Sequence, residues 1–119
     1  MKIIILVLAV LSAPAMAFFE MPETDFERVA AMQVSQSMGP VGGSGDILTS
    51  IVIIPATTSP GGVYISDGND VSMSVFAGGA TSVADLQPFT VPLRARSVNG
   101  AWKVSTGNNV SVIGVGKFK

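Results

Sequence analysis

The sequence predicts an all-β fold: an antiparallel β-sandwich, jelly-roll-like or barrel-like, of about six to eight short strands preceded by a short N-terminal helix. Short runs of β-branched residues recur from residue 46 to the end, with Gly-, Asn-, Asp- or Pro-rich breaks between them. The first run, residues 47–54, is apolar on both faces, which is typical of a central or interface strand. With 119 residues, the chain has room for one such domain.

Composition excludes several functions. Seven Lys and Arg residues against eight Asp and Glu leave no basic field for nucleic acid. Cysteine and histidine are both absent, so disulfides, thiolate nucleophiles and Cys/His metal sites are excluded, and no cofactor is expected. Charged residues make up only 13% of the chain, which is low for a monomer surface and favours an assembled protein.

Residues 1–17 have the layout of a secretory signal peptide. Lys2 supplies the positive start, residues 3–11 form an apolar core, and Ala-Met-Ala at 15–17 predicts cleavage before Phe18. The apolar core is too short to span a bilayer as a permanent helix. The alternative is an apolar N-terminal arm that is retained, in which case membrane contact would occur through this segment alone.

Residues 18–38 are predicted to be a short helical segment. Thr24 and Glu27 fit a capping box, and an apolar stripe at helical spacing follows, which predicts a helix over residues 25–36. Residues 39–45 contain four glycines and are predicted to be a flexible linker. The β-sandwich domain then occupies residues 46–119.

Six strands are predicted within that domain. On the first, one face is expected to carry Ile47, Ile51 and Ile53, and the other Leu48, Val52 and Ile54. Pro92 places the fourth strand at a sheet edge or a bulge. The predicted strands cover residues 47–54, 63–66, 71–76, 89–96, 101–105 and 110–115.

Two clusters are candidate binding sites. Asp67, Asn69 and Asp70 could supply oxygens to calcium, but the EF-hand pattern is absent and a hairpin turn is the favoured interpretation. A cationic–aromatic patch for sugars or phosphates could be formed by Arg94, Arg96, Trp102 and Lys103.

The alternative is that Trp102 lies in the core or at a subunit interface and that the two arginines form ion pairs with Asp85 or with a neighbouring chain. Ile51 and Ile53 complete the set of candidate interface or ligand contacts, because they lie on the strand that is apolar on both faces.

The residues for catalysis are scarce. No histidine and no Ser-x-x-Lys pairing is present to activate a hydroxyl nucleophile. Past the linker only four carboxylates remain, three of them in predicted turns or loops. Enzyme activity is therefore not expected.

Five stretches share a characteristic succession of strand and turn residues; they lie at residues 45–48, 55–68, 75–79, 101–107 and 109–113. Together they resemble the small β-sandwich virion proteins encoded in structural-gene clusters of tailed bacteriophages and related marine phages. The resemblance implies a structural role in the virion in repeated copies, as a capsid decoration, fibre or tail-associated subunit. Its partners would be other virion proteins and copies of itself, with a trimer or ring expected. A cleavable secretion signal does not fit head assembly in the cytoplasm.

A second hypothesis is a secreted or periplasmic β-sandwich binding module, with carbohydrate as a candidate ligand. Trp102, Arg94 and Arg96 would then be the contact residues. The two hypotheses differ in the exposure of Trp102, because an indole that binds ligand must reach the surface.

Overall fold

A computed structural model describes residues 24–39 and 42–119, and over this range the predicted all-β class is confirmed. Two antiparallel sheets of four strands each are present. The signal peptide or apolar arm predicted for residues 1–17 lies outside the described residues. The strands are β1 (Asp25–Val29), β2 (Gln36–Ser37), β3 (Ile47–Pro55), β4 (Val63–Asp67), β5 (Met73–Phe76), β6 (Phe89–Arg96), β7 (Trp102–Thr106) and β8 (Val110–Lys117).

The first half of the chain pairs with the second half in reverse order. Sheet 1 has the order β1-β8-β3-β6, and sheet 2 has the order β2-β7-β4-β5. Thus the first strand pairs with the eighth, the second with the seventh, the third with the sixth and the fourth with the fifth. The β3–β8 and β4–β7 pairings join these pairs into sheets.

The six strands predicted after residue 46 correspond to β3 through β8. The bounds of β6 match the prediction, and the other five differ by one or two residues at one end or both. Strand β6 lies at an edge of sheet 1, as Pro92 predicts, because proline has no N–H to donate to a second neighbouring strand.

The helix predicted over residues 25–36 is wrong. Residues 25–29 form β1 along the edge of β8, and residues 36–37 form β2 along β7. Between them, Met32 and Ser35 have positive φ angles of 61° and 50°, which an α-helix does not accommodate. A three-turn helix is marginal on its own, whereas the edges of β7 and β8 offer backbone hydrogen bonds.

Residues 42–45 make specific hydrogen bonds. Gly45 N donates to the Ser97 carbonyl at 2.8 Å, and Gly43 N donates to Asp46 Oδ2 at 3.2 Å. Gly42 N donates to the carbonyl of Lys119. The described residues on both sides of the predicted linker therefore contribute strands to the same two sheets.

One hydrophobic cluster lies between the sheets and takes residues from both. Met38 fills space next to Gly114 of sheet 1, where an added Cβ would lie 2.7 Å from the methionine sulfur. Phe76 of β5 and Phe89 of β6, the edge strands of the two sheets, make an edge-to-face contact with ring centroids 5.4 Å apart. The buried cluster consists of Val29, Met38, Leu48, Ile51, Ile53, Val63, Ile65, Trp102, Val104, Val110 and Val112.

The predicted faces of β3 need one correction. The register shifts between Leu48 and Ser50, so the strand carries one extra residue against β8. Leu48 therefore shares the buried face with Ile51 and Ile53, and Ile47 moves to the opposite face. The other two assignments to that opposite face, Val52 and Ile54, agree with the half-buried positions found.

Candidate interaction surface

The side of sheet 1 that faces away from the core is apolar at its centre. Val52 of β3 lies opposite Ile113 of β8, and all the outward residues of these two strands are half-buried, apart from Lys117 at the end of β8. Phe26 of β1 lies opposite Val115 and is 69% exposed. We call this surface the sheet 1 outer face; its apolar members are Phe26, Ile47, Val52, Ile54, Ile113 and Val115.

Cations surround this apolar centre. Arg28 lies opposite Ile113, Lys117 lies opposite Ile47, and both cations are exposed. Arg94 and Arg96 are exposed along the β6 edge of the same sheet. The carboxylates of β1 alternate with these outward positions, so the described strands place no carboxylate on this face.

Shallow depressions occur at both ends of the sheet 1 outer face. One lies beyond the end of β1, and Arg28, Ile54 and Ile113 contribute to its walls. The other lies where the chain enters β1, and its lining includes Ile47 and Lys117. Both are open hollows in the surface rather than enclosed cavities.

The corresponding side of sheet 2 is rich in hydroxyl groups. Tyr64 of β4 is 41% exposed and lies opposite Ser105 of β7 and Ser74 of β5. Lys103 of β7 lies opposite Ser37 of β2 on one side and opposite Ser66 of β4 on the other. We call this surface the sheet 2 outer face.

The structure separates the residues of the predicted cationic–aromatic patch. Trp102 is only 4% exposed and faces the core of sheet 2, where its Nε1 donates to the Asp46 carbonyl at 3.1 Å. Arg94 and Arg96 lie at the far edge of sheet 1. Ile51 and Ile53 are fully buried core residues. Of the five predicted contact residues, only the two arginines are exposed.

The described carboxylates accept hydrogen bonds from backbone N–H groups. Asp46 is 1% exposed, and its two oxygens accept from Gly43 N and Lys119 N, each at 3.2 Å. It thereby ties the end of the chain to the turn before β3. The remaining carboxylates each accept at least one backbone N–H as well: Asp25, Glu27, Asp67, Asp70 and Asp85.

Glu27 and Asp46 act differently from the sequence-based expectation. Glu27, predicted to cap a helix with Thr24, accepts instead from Gly39 N at 3.1 Å. The sequence-based expectation assigned no structural role to Asp46. A signal was nevertheless present, because Asp between a glycine-rich turn and an apolar strand commonly accepts local backbone N–H groups.

The Asp67–Asp70 segment is a hairpin turn tied to a neighbouring loop. Asp67 accepts from the N–H groups of Val98 and Asn99 at 2.9 to 3.0 Å, and Lys103 Nζ donates to Asn69 Oδ1 at 2.9 Å. Over the described range, no group of three or more His, Cys, Asp and Glu side chains is arranged to hold a metal ion.

In the described part of the chain, the buried side-chain polar atoms are all hydrogen-bonded. No buried side-chain nitrogen or oxygen there lacks a hydrogen-bond partner. Within the same residues, no helix has the length and apolarity to cross a membrane. Among the described residues, the outer faces of the two sheets are the surfaces that we consider for recognition.

No protein-family model matches this chain, and no curated protein or solved structure matches it significantly.

Proposed function

We propose that this chain is a structural protein of a bacteriophage virion that acts through protein–protein contacts, as a capsid decoration, fibre or tail-associated subunit. The observation that carries the proposal is the apolar centre of the sheet 1 outer face. Its partners are copies of the chain and other virion proteins, and its location is the virion.

The strand pairing supports this proposal at the level of the fold. Among the described strands, β1 pairs with β8, β2 with β7, β3 with β6 and β4 with β5. This is the pattern of one long antiparallel hairpin whose paired strands are divided between two sheets. We infer a jelly-roll β-sandwich, an architecture that viral capsid domains use and that lectins and cupins use as well. Because one fold hosts many functions, the fold favours a virion role without deciding it.

The chemistry of the sheet 1 outer face supports a partner. An antiparallel sheet with one solvated face normally alternates apolar and polar residues, yet β3 and β8 place Val52, Ile54, Ile113 and Val115 on the outward side. Burying such a face contributes about 25 cal/mol for each Å² of apolar area removed from water. Contiguous apolar patches of this kind are typical of protein interaction sites.

The state of the carboxylates supports a non-enzymatic role. A general acid or base needs a free oxygen within reach of a substrate. Here Asp46 is buried and bonded through both oxygens, and Asp67 accepts from two successive backbone N–H groups. We infer that these groups hold turns together.

Tyr64 favours the alternative function, a secreted or periplasmic module that binds carbohydrate. It is an exposed aromatic ring on a hydroxyl-rich sheet face, and an amphipathic ring of this type suits sugar stacking. Trp102 contributes nothing to such a site because it is buried. A Tyr64→Ala variant that loses binding to a glycan array, with unchanged oligomeric state, would favour this alternative.

Light scattering of the purified full chain tests the proposed function. We expect an oligomer whose mass falls when Val52→Lys places a charge at the centre of the sheet 1 outer face. The matched control is Tyr64→Lys, which places the same charge on an inner strand of sheet 2 and should leave the mass unchanged. A monodisperse monomer at high concentration in the unmodified chain would overturn the proposal.

A further inference from the structure

The loop between β6 and β7 contains the one Asn-Gly pair of the chain, Asn99 followed by Gly100. Asn99 is exposed, and Gly100 has a φ of 144°, a backbone conformation that residues with a Cβ rarely adopt. The backbone nitrogen that follows the asparagine therefore belongs to a residue with no side chain to shield it.

This loop is tied to the turn between β4 and β5 through Asn99. The Asn99 N–H donates to Asp67 Oδ1 at 2.9 Å, and its Nδ2 donates to Asp70 Oδ2 at 3.3 Å. The Asn99 carbonyl oxygen packs so closely on Gly68 that a Cβ added there would collide with it. Asn99 thus joins the loop to the turn through both its backbone and its side chain, and two carboxylates face it.

We propose that Asn99 is a site of spontaneous covalent modification, in which its side-chain amide becomes a carboxylate. The backbone nitrogen of Gly100 gives up its proton to solvent and attacks Cγ of Asn99. The side-chain nitrogen takes up a proton and leaves as ammonia. Water then opens the five-membered succinimide at one of its two carbonyls and gives aspartate or isoaspartate. Water is the only co-reactant, and this modification goes beyond the assembly proposed above.

The other three asparagines are followed by residues that oppose the same attack. The N–H of Asp70, which follows Asn69, donates to a carbonyl of its own turn at 3.1 Å, and attack would first break this hydrogen bond. Val110, which follows Asn109, is β-branched and buried at the start of β8. Asn108 is followed by Asn109, which carries a side chain where Gly100 has none. These three asparagines are therefore internal controls.

Modification changes the contact between the loop and the turn. The new carboxylate replaces an amide that donates to Asp70, and two like charges at that distance repel each other. In isoaspartate the main chain also runs through Cβ and Cγ of residue 99 and is one atom longer. The close contact of the loop with Gly68 leaves little room for that atom. The modified loop is therefore released from the turn.

Ageing of the purified full chain in mildly alkaline buffer tests the site. Peptide mass spectrometry measures the gain of one mass unit at each asparagine, and an isoaspartate-specific methyltransferase labels the isomerised product. We expect Asn99 to convert about tenfold faster than Asn69, Asn108 or Asn109, because glycine leaves the attacking nitrogen unshielded. A rate at Asn99 no higher than at the other three would overturn the proposal.

The matched control is Asn99→Gln, which keeps the amide and lengthens the side chain by one methylene. Attack would then close a six-membered ring from a less favourable geometry, so the mass gain at this position should slow about tenfold. Gly100 stays unchanged in this control, because its φ of 144° would strain an alanine. Equal mass gain with asparagine and with glutamine would indicate direct hydrolysis by water and would overturn the succinimide route.

Thermal melts test the release of the loop. Asn99→Asp reproduces the product that is not isomerised, and it should lower the melting temperature by a few degrees, since exposed charges interact weakly. Adding Asp70→Asn places an amide opposite the new carboxylate and should restore most of the loss. An unchanged melting temperature for Asn99→Asp, or no recovery in the double variant, would contradict the release. The ageing rates are measured peptide by peptide, so this proposal and the proposed assembly can fail independently.

Discussion

The two outer faces of this protein differ although the inner faces are alike. Both sheets have four strands, and both contribute aliphatic side chains to one core. The sheet 1 outer face has an apolar centre that includes Val52 and Ile113, whereas the sheet 2 outer face has Ser37, Ser74 and Tyr64. Both sheets must supply apolar side chains to the core. The difference between their outer faces therefore reflects the surroundings of each outer face. The sheet 2 outer face is suited to contact with water, and we propose that the sheet 1 outer face contacts a polypeptide partner.

The two edges of sheet 1 differ as well. Strand β6 is protected from further pairing by Pro92, by a register shift and by the positive φ of 51° at Arg94. Strand β1 pairs with β8 in a regular register over its five residues and has no proline. Further strand pairing along the edge of sheet 1 is thus expected at β1 rather than at β6.

The largest effect is expected from moving a charge between the two faces of one strand. Ile53→Lys places an ammonium group in the core and should cost about 4 kcal/mol or more, enough to unfold a marginal domain. Ile54→Lys, one residue along, places it on the half-buried outer side and should leave the fold intact. Thermal melts followed by circular dichroism measure both. Equal melting temperatures would contradict the assignment of the two faces.

A smaller loss is expected for Met38→Ala, which tests whether the strands before residue 46 share the core. Met38 is fully buried, so truncation should cost about 2–5 kcal/mol through the cavity it leaves. Met32→Ala is the control, because Met32 is 67% exposed and should change stability little. Urea denaturation gives both values. If Met38→Ala matched the control, the core would not depend on Met38, in agreement with the predicted domain boundary at residue 46.

A change confined to association is expected when the sheet 1 outer face is made to resemble that of sheet 2. Ile113→Ser combined with Val115→Ser should weaken self-association roughly tenfold or more and leave the melting temperature of the dissociated chain nearly unchanged. Ser37→Ala combined with Ser74→Ala is the control on the sheet 2 outer face. Sedimentation over a concentration series measures both pairs. Equal association constants would remove the distinction between the faces.

The smallest effect is expected for Ser72→Lys. Ser72 is exposed just before β5, away from the sheet 1 outer face, and a surface change there should stay within about 0.5 kcal/mol. Neither the melting temperature nor the mass by light scattering should change. A loss of mass would mean that the interaction surface extends to the β5 edge of sheet 2.

The sequence by itself determined the all-β class and most strand positions after residue 46, because alternation and turn residues are local signals. Pro92 even predicted the edge position of β6, since the missing N–H is a property of the residue alone. It also predicted that one strand would be apolar on both faces, and Val52 and Ile54 bear this out.

Tertiary structure alone decided three other features. The segment Asp25–Val29 became a strand because the edge of β8 was free to pair with it, and no capping motif reports on a partner 83 or more residues away. The β-bulge between Leu48 and Ser50 placed Ile47 on the outer face of sheet 1 instead of the buried face, because one extra residue inverts the alternation of side chains along the strand. Burial of Trp102 under Asp46 depended on two segments 56 residues apart, and side-chain exposure is a property of such long-range packing rather than of residue type.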